Sequence, residues 1–191
     1  RPGTVGRAWP NSEIRVLDDG DAECPPGSPG TVYMKLGAAD FEYKGDRGKT
    51  EASRREGFFT VGDVGYLNED GYLFLCDRKS DMIISGGVNI YPAEIESVLL
   101  SHPKVADAAV FGVPHPDWGE EVKAVIEPVE GAEPGEALSA EILEFCADQL
   151  ARYKTPRSID YIPEMPRDPN GKLYKRKLRD PYWEEIGRAH V

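Results

Sequence analysis

The chain has 191 residues, 40% hydrophobic and 30% charged, a composition typical of one ordinary globular domain or two small ones. Its formal net charge of -11 argues against non-specific binding to nucleic acid and against attraction to an anionic membrane surface. No apolar run approaches bilayer length, no signal-peptide pattern is present, and the three widely spaced cysteines predict neither disulfides nor a metal site, so a reducing cytoplasm is the expected location.

The first third of the chain predicts short β-strands joined by turns. Ser12–Leu17 and Thr31–Leu36 alternate apolar and polar residues with the period of a half-buried strand. Turn residues dominate positions 18–20 and the Pro/Gly-rich cluster at 25–30. A small barrel-like or meandering β-structure is therefore expected in this region.

Residues Gly45–Thr50 end like a phosphate-binding P-loop, but the rest of that motif is missing. The motif needs a glycine at position 43, where this chain has Tyr43, and the following residues 51–56 are nearly all polar. The sequence therefore predicts a surface turn here.

Residues 57–75 predict a β-hairpin, because two β-rich runs flank the turn sequence Asn68–Gly71. Asp63 lies at the end of the first run beside two glycines, where its carboxylate could accept hydrogen bonds from a vicinal diol. By spacing alone, a simple turn-capping role for Asp63 is the favoured interpretation.

The stretch from residue 77 to residue 96 combines a charged segment, a strand, a glycine pair and a helix start. Asp77–Asp81 are charged or polar, and the apolar run Met82–Ile84 suits a strand. Gly86 and Gly87 lack a Cβ and would allow another molecule to approach the backbone closely. Pro92 is typical of the first turn of a helix.

The remaining chain predicts a compact α+β unit, a small sheet covered by helices on one or both faces. The expected elements are a helix over Pro92–Ser101, a strand over Val105–Val113, a loop over 115–120, a strand over Glu121–Glu127, a helix capped by Ser139 and running to Leu150, a strand over Arg157–Ile162 and a short basic helix over Leu173–Arg179.

Several side chains in this unit allow both a functional and a structural interpretation. His102 and His115 have no second metal ligand at useful spacing, so a surface helix end and a loop turn are predicted for them. Trp118 suits either a core plug or an exposed aromatic. The turn at residues 168–171 projects Lys172, and a lysine at a turn tip is normally only solvated.

Four segments together resemble the motifs of the adenylate-forming superfamily, which includes acyl-CoA synthetases, luciferases and peptide-synthetase adenylation domains. In chain order they are GFFTVGDVGYLNEDGYLFL at 57–75, DRKSDMIISGGVNIYPAEIE at 77–96, ARYKTP at 151–156 and PRDPNGKLYK at 166–175. Within this superfamily, the string MIISGGVNIYPAEIE at 82–96 looks most like that of bacterial fatty- and aryl-acid CoA ligases.

The resemblance implies an α+β fold in two parts. Residues 1–79 would be the distal β-rich subdomain of a large N-terminal domain, and residues 80–185 a small mobile C-terminal domain that rotates about Ser80. The superfamily usually has Asp or Lys at that hinge position. The chain is expected to be a fragment whose phosphate loop, acyl pocket and adenine-binding segment lie upstream. Its last six residues, IGRAHV at 186–191, resemble a translated sequencing adapter and are expected to be non-native.

The resemblance also implies a nucleotide site. Asp63 and Arg78 would bind the ribose of AMP, although Val61 stands where the superfamily usually has Thr or Ser. An arginine offers directed donors and a permanent charge, which suit sugar and phosphate oxygens. A salt bridge from Arg78 to Asp77 or Asp81 is plausible in parallel.

A second implied site would bind CoA. The resemblance places Gly86 and Gly87 on the path of the pantetheine arm and Trp118 near it, with Tyr153 and Lys154 near the CoA nucleotide. The last two residues could equally well cover the joint between a helix and a strand.

The expected activity of the parent protein is that of an ATP-dependent carboxylic acid–CoA ligase, with Lys172 as the catalytic residue of adenylation. ATP, CoA and a small carboxylic acid would be its partners, and Mg²⁺ would be held mainly by upstream residues. Alternatives are another acceptor, a carrier-protein arm or luciferase-like oxidation, and a non-catalytic remnant that binds nucleotide or CoA. The fragment alone is not expected to catalyse the overall reaction.

Overall fold

The structure, a computed structural model, describes residues 2–37 and 47–189. These residues divide into two compact units on either side of the Ser80–Asp81 bond. Each unit has its own buried clusters of hydrophobic side chains.

The first unit is an antiparallel sheet of six strands within the described residues. Hydrogen bonding places the strands in the order β3-β4-β2-β5-β6, with β1 also paired to β2. The elements are β1 (Ser12–Leu17), β2 (Gly30–Leu36), a short helix α1 (Arg47–Ala52), β3 (Arg54–Arg55), β4 (Phe58–Phe59), β5 (Asp63–Leu67) and β6 (Leu73–Arg78).

Three of these elements confirm the sequence predictions. β1 has the predicted bounds, β2 begins one residue earlier than predicted, and the turn at Asn68–Gly71 joins β5 to β6. The Asn68 side-chain oxygen accepts hydrogen bonds from the backbone N–H groups of Asp70 (3.1 Å) and Tyr72 (2.8 Å), which closes that turn.

The segment that resembles a P-loop differs from the prediction. Gly45 and Asp46 lie outside the described residues, but Arg47–Ala52 forms helix α1 rather than a surface turn. Thr50 itself is buried, at 6% exposure, and its carbonyl oxygen accepts the Ser53 hydroxyl (2.7 Å), whereas Gly48 is exposed. The short strand β3 that follows was not predicted, whereas β4 falls within the first of the two β-rich runs predicted over residues 57–75.

The second unit is a five-stranded sheet, within the described residues, between helices on both faces. Strand β10 is central. One edge of β10 pairs antiparallel with β9 along the whole strand. The other edge pairs antiparallel with β7 at Gly119 and parallel with β11 further along the strand. The elements are β7 (Ile83–Ser85), β8 (Val88–Ile90), α2 (Pro92–Leu100), β9 (Val105–His115), β10 (Gly119–Pro128), α3 (Glu136–Ala147), β11 (Ser158–Tyr161) and α4 (Lys175–Ala189).

Alternate residues of β9 point to opposite faces of the sheet, as the strand period requires. Ala108 and Val110 pack with α2 and α3, whereas Ala109 and Phe111 pack with the segment that includes α4. Because both faces are covered, β9 is an almost continuous apolar run.

Helix α3 begins earlier than predicted. Gly135 is its N-cap residue, without a side-chain hydrogen bond, and the predicted cap Ser139 lies inside the helix, where its hydroxyl pairs with that of Tyr161 (2.9 Å). Leu138 must be helical to join Ile142 on the buried face, which requires the helix to start before Ser139.

The strands β9 and β10 also run further than predicted. The predicted loop at 115–120 shrinks to the three residues 116–118, because His115 and Gly119 are paired in the sheet. Helix α4 is longer than the predicted Leu173–Arg179 and runs across the boundary that the sequence analysis places after residue 185.

Candidate functional site

In the first unit, the fold brings together the two residues predicted to bind ribose. Asp63 opens β5 and Arg78 ends β6, and the two are cross-strand partners with Arg78 Nε 3.4 Å from Asp63 Oδ1. The backbone before Asp63 is held in place, since Gly62 N donates to the Thr60 hydroxyl (3.0 Å) and Gly62 O accepts from Lys79 N (2.8 Å). A carboxylate and a guanidinium therefore lie side by side at a sheet edge, accessible to a polyhydroxylated ligand.

Ser80 lies in a turn between the last strand of the first unit and the first strand of the second. The residue before it is anchored in the first unit, because the Lys79 ammonium contacts Asp19 Oδ1 (2.8 Å) and the Thr31 hydroxyl (3.3 Å). The compact units separate directly after Ser80. A hinge at Ser80 would therefore directly follow a residue that is anchored in the first unit.

In the second unit, Lys172 stands at the end of a tightly closed turn. Asp168 Oδ1 accepts the backbone N–H groups of Asn170 (2.8 Å) and Lys172 (2.9 Å), and Asp168 N donates to Lys172 O (2.8 Å). Gly171 has φ +81°, a left-handed conformation that favours glycine. The turn fixes the backbone of Lys172 and leaves its side chain exposed.

Two ion pairs attach this turn to the sheet and to α2. On one side Arg167 binds Asp107 of β9. On the other side Lys175 Nζ lies 2.7 Å from Glu96 Oε1, and both side chains are more than four-fifths buried. Glu96 also accepts the backbone N–H of Val110 (2.7 Å). The position of Lys172 is thus set by contacts on both sides of it in the chain.

A cleft of about 180 Å³ collects three of the five residues predicted to bind CoA. Gly86, Trp118 and Tyr153 belong to the β7–β8 turn, the β9–β10 turn and the segment before β11, which are far apart in the sequence. The full lining is Ser85, Gly86, Trp118, Glu121, Val122, Tyr153 and Arg157.

The glycine pair forms the turn between β7 and β8. Gly86 and Gly87 have φ +57° and +79°, and a Cβ on either would meet no atom of the described structure within 4 Å. The conformation therefore favours glycine, while the space above the pair is open. Gly86 N donates to Trp118 O (2.9 Å), which joins the two turns of the cleft.

Lys154 has a structural partner. Its ammonium contacts both carboxylate oxygens of Glu94, at 2.8 and 2.6 Å, in the first turn of α2. Glu94 is favoured there by the helix dipole, and the ion pair ties the segment before β11 to that helix. Tyr153 is half exposed and lines the cleft, whereas neither Lys154 nor Gly87 is among its lining residues.

Arg157 is a cleft residue that the sequence analysis missed. Its guanidinium carbon lies 5.1 Å from the centre of the Trp118 ring, and its charge would attract phosphate groups. The sequence offers no local signal for this, because Arg157 reads only as the first residue of a predicted strand.

Glu120 is a supporting residue near the glycine pair that the sequence did not indicate. Its Oε2 accepts the backbone N–H of Ile84 (3.2 Å), which holds the strand that leads to the glycine pair. A Cβ on Gly112 would lie 2.1 Å from the same oxygen, so the glycine leaves the room that this carboxylate fills. Burial raises the pKa of Glu120 above its ordinary value, against the lowering effects of the Ile84 N–H and the Arg179 charge.

The Lys172 turn and the cleft lie at opposite ends of the second unit's sheet. Asp107 of β9 anchors the Lys172 turn through Arg167, and His115 ends the same strand next to the turn that carries Trp118. The two residues are eight positions apart in β9. At about 3.3 Å per residue, this separates them by roughly 26 Å.

The predictions for the two histidines need correction. His102 is 4% exposed rather than at the surface: it packs edge-to-face on Phe145 and its Nδ1 accepts Lys104 N (3.2 Å). His115 ends strand β9 rather than lying in a loop. No group of three or more His, Cys, Asp or Glu among the described residues could hold a metal ion, and none of their helices is long and apolar enough to cross a membrane.

Comparison with known proteins identifies the second unit first. Residues 94–172 match the family described as AMP-binding enzyme C-terminal domain. The class that the fold and the site define is thus the AMP-binding enzymes, and over 90% of the chain aligns with relatives of this class.

Two curated relatives are 40% identical to the chain. One is the fatty acid–[acyl-carrier-protein] ligase ScoC of Streptomyces coeruleorubidus, which aligns with 96% of this chain. The other is the 2-succinylbenzoate–CoA ligase of Bacillus thuringiensis subsp. konkukian, which aligns with 93%. The chain spans about a third of the length of these relatives, 35% and 36%.

Solved structures agree. ATP-bound MatB from Rhodopseudomonas palustris superposes with a TM-score of 0.84 at 38% identity, over 95% of this chain and 36% of that one. The o-succinylbenzoate CoA synthetase MenE from Bacillus subtilis, with its acyl-adenylate intermediate, gives 0.83 at 38% identity, over 93% and 36%. The chain therefore belongs to the adenylate-forming, AMP-binding enzyme family. ScoC, the 2-succinylbenzoate–CoA ligase and MenE are acid–thiol ligases.

Proposed function

We propose that the protein containing this chain is an ATP-dependent carboxylic acid–CoA ligase in which the second unit serves both half-reactions in turn. In the first, a carboxylate oxygen attacks the α-phosphorus of ATP and pyrophosphate leaves, giving an acyl-adenylate. In the second, the CoA sulfur attacks the acyl carbonyl and AMP leaves. The CoA thiol loses its proton in this step.

The observation that carries this proposal is the placement of two functional groups at opposite ends of one sheet. Lys172 and the cleft around Trp118 are separated by most of the length of β9. A single reaction centre cannot contact both at once, so the unit must reorient between steps. Ser80, in the turn where the compact units separate, is the proposed hinge.

In the first half-reaction, Lys172 contributes a positive charge. The transferring phosphoryl group and the attacking carboxylate bring negative charge together, and an ammonium placed beside them stabilises this arrangement. The closed turn at Lys172 and the ion pairs on both sides of it hold its backbone in place, and its exposed side chain would reach the reactants. Asp63 and Arg78 would hold the ribose, Asp63 by accepting from its hydroxyls and Arg78 by donating to its oxygens.

In the second half-reaction, the cleft would bind CoA. The open space above Gly86 and Gly87 admits the narrow pantetheine arm, Trp118 and Tyr153 offer aromatic surface, and Arg157 offers charge to phosphate. Lys154 is already paired with Glu94, so its proposed contribution is to position Tyr153 rather than to bind CoA directly.

MenE has been solved with ATP and a magnesium ion, but the described residues of this chain offer no cluster of metal-binding side chains. Any Mg²⁺ that accompanies ATP would be held by other residues of the longer protein. The cytoplasmic location stays a prediction.

The test separates the half-reactions in the full-length protein. Lys172→Ala should lower ATP-dependent adenylate formation by at least about 100-fold, because it removes a charge that acts in the transition state. The variant should still convert supplied acyl-adenylate to acyl-CoA. Equal loss of both half-reactions would contradict this division of labour.

Gly87→Trp provides the matched variant. Its side chain would fill the open space on the proposed pantetheine path, so thioester formation from supplied acyl-adenylate should fall while pyrophosphate release from ATP continues. Gly87→Ala controls for the left-handed backbone, which costs about 1 kcal/mol in any residue with a Cβ. Undiminished thioester formation by the Trp variant would show that Gly87 does not lie on the path of the pantetheine arm.

A carrier-protein arm is the second candidate acceptor, because the relative ScoC is an acyl-carrier-protein ligase. Both acceptors present a thiol, so supplying either CoA or a thiol-bearing carrier protein to the preformed acyl-adenylate distinguishes them.

A further inference from the structure

We infer that His115 is a positioning residue for Trp118, and that it acts as a hydrogen-bond acceptor for the β9–β10 turn. This deepens the proposed function and rests on it where CoA is concerned. The geometric part stands on contacts within the second unit alone.

The turn between β9 and β10 has only three residues, and His115 replaces a missing backbone acceptor within it. Nδ1 of His115 accepts the backbone N–H groups of Asp117 (3.2 Å) and Trp118 (3.3 Å). An imidazole nitrogen that accepts in this way carries no proton, so the proton is on Nε2. One side chain thus satisfies two amides that the short turn leaves without a strand partner.

The same side chain also holds the indole ring. The rings of His115 and Trp118 are stacked, with centroids 4.5 Å apart and planes 15° from parallel. Trp118 is 42% exposed, so the hydrophobic core does not fix its orientation. The imidazole therefore supplies both a backbone and a ring contact to a residue that core packing leaves free to reorient.

Trp118 transmits this placement to the cleft. Its carbonyl oxygen accepts Gly86 N (2.9 Å), and its ring lies 5.1 Å from the Arg157 guanidinium. The β9–β10 turn, the glycine turn and the segment before β11 meet at this one residue. A change in the turn at His115 would consequently alter three walls of the cleft.

His102 is an internal control. Its Nδ1 accepts the backbone N–H two residues ahead (Lys104, 3.2 Å), the same pattern as His115 and Asp117, but it is buried against Phe145. It lies outside the cleft lining. Comparing substitutions at the two histidines separates loss of this hydrogen bond in general from loss of Trp118 placement.

The experiment uses the 191-residue chain with three variants at His115. His115→Ala removes acceptor and ring. His115→Asn restores an acceptor oxygen at the place of Nδ1, since asparagine commonly accepts the backbone N–H two residues ahead. His115→Phe restores the ring without the acceptor. His102→Asn is the matched control.

The first readout is the Trp118 indole N–H resonance, assigned by Trp118→Phe. We expect His115→Ala and His115→Phe to broaden it, because the turn loses its acceptor, and His115→Asn to keep it as sharp as in the wild type, at a position shifted by the loss of the stacked imidazole ring. His102→Asn should leave it unchanged. An unchanged resonance in His115→Ala, or full recovery in His115→Phe, would overturn the acceptor role.

The second readout is the affinity for CoA measured by calorimetry. We expect about tenfold weaker binding in His115→Ala and His115→Phe and recovery to within about threefold in His115→Asn. If the wild-type chain binds no CoA, the assignment of this cleft to CoA fails for the isolated chain, while the resonance still decides the role of His115. If CoA binds equally to wild type and His115→Ala, the link from His115 to the cleft is refuted.

Discussion

At the scale of single residues, function depends on side chains whose partners are distant in the sequence. Glu120 shows this most clearly. It supports the backbone of Ile84, 36 positions away, and occupies space that exists because residue 112 is glycine. Sequence patterns identify Gly86, Gly87 and Lys172 because turns have local signatures, but nothing near Glu120 indicates the N–H that it binds. The same holds for Arg157 and its contact with Trp118.

Relative to the wild type, Glu120→Gln should become more stable as the pH rises from acid to neutral. Burial raises the folded-state pKa of Glu120, so the folded state binds its proton more tightly than the unfolded state. Its contribution to stability is present below the unfolded pKa and is lost as pH rises through the folded pKa. Glutamine stays neutral, and its amide oxygen can still accept from Ile84.

The measurement is urea unfolding of both proteins at pH 4.5 and pH 7.5. The free energy of unfolding of the variant, relative to that of the wild type, should be higher at pH 7.5 than at pH 4.5. Glu144→Gln, on the exposed face of α3, controls for the loss of one negative charge. If the free energies of unfolding of wild type and Glu120→Gln change in parallel with pH, the Glu120 carboxyl has the same pKa in the folded and unfolded states.

At the scale of elements, periodicity predicted most helices and strands, and errors occur where an element's end depends on packing. Strand β1 and the start of α2 at Pro92 follow local rules and were predicted correctly. The start of α3 was wrong because an obvious capping residue, Ser139, lies inside the helix and pairs with Tyr161. The pattern of buried residues, Leu138, Ile142 and Cys146, decided the helix start instead.

Ile142→Ala should destabilise the second unit by about 3 kcal/mol, since this side chain is 0% exposed among α2, α3 and the sheet and its removal leaves a cavity. Denaturant unfolding followed by amide signals of β9 and β10 measures the change. Glu144→Ala, on the exposed face of the same helix, should change stability by no more than about 0.5 kcal/mol. A similar small effect at Ile142 would mean that α3 contributes little to this core.

At the scale of the whole molecule, the chain contains two compact units that separate directly after Ser80. The first holds the Asp63–Arg78 pair, and the second holds both Lys172 and the cleft. The small residue at the proposed hinge can absorb backbone rotation without steric conflict. Lys79, next to it, forms an exposed ion pair with Asp19 of the first unit.

Ser80→Pro in the full-length protein should slow the complete reaction by at least about tenfold, because proline fixes φ near −65° and restricts the preceding residue. One half-reaction, assayed separately, should remain within about threefold of wild type, since the unit would be held in one orientation. Ser80→Ala keeps backbone freedom and serves as the control. Unchanged turnover in the proline variant would rule out Ser80 as the hinge.

The sequence by itself determined the family and the order of the two units through its resemblance to known motifs, and it determined many local elements because glycine pairs, turn residues and strand alternation act over a few neighbouring positions. Only the tertiary structure decided which of those groups meet. Strand pairing and side-chain contacts are non-local: strand pairing places Lys172 and Trp118 at opposite ends of one sheet, and side-chain contacts join His115 and Arg157 to Trp118 and Lys154 to Glu94.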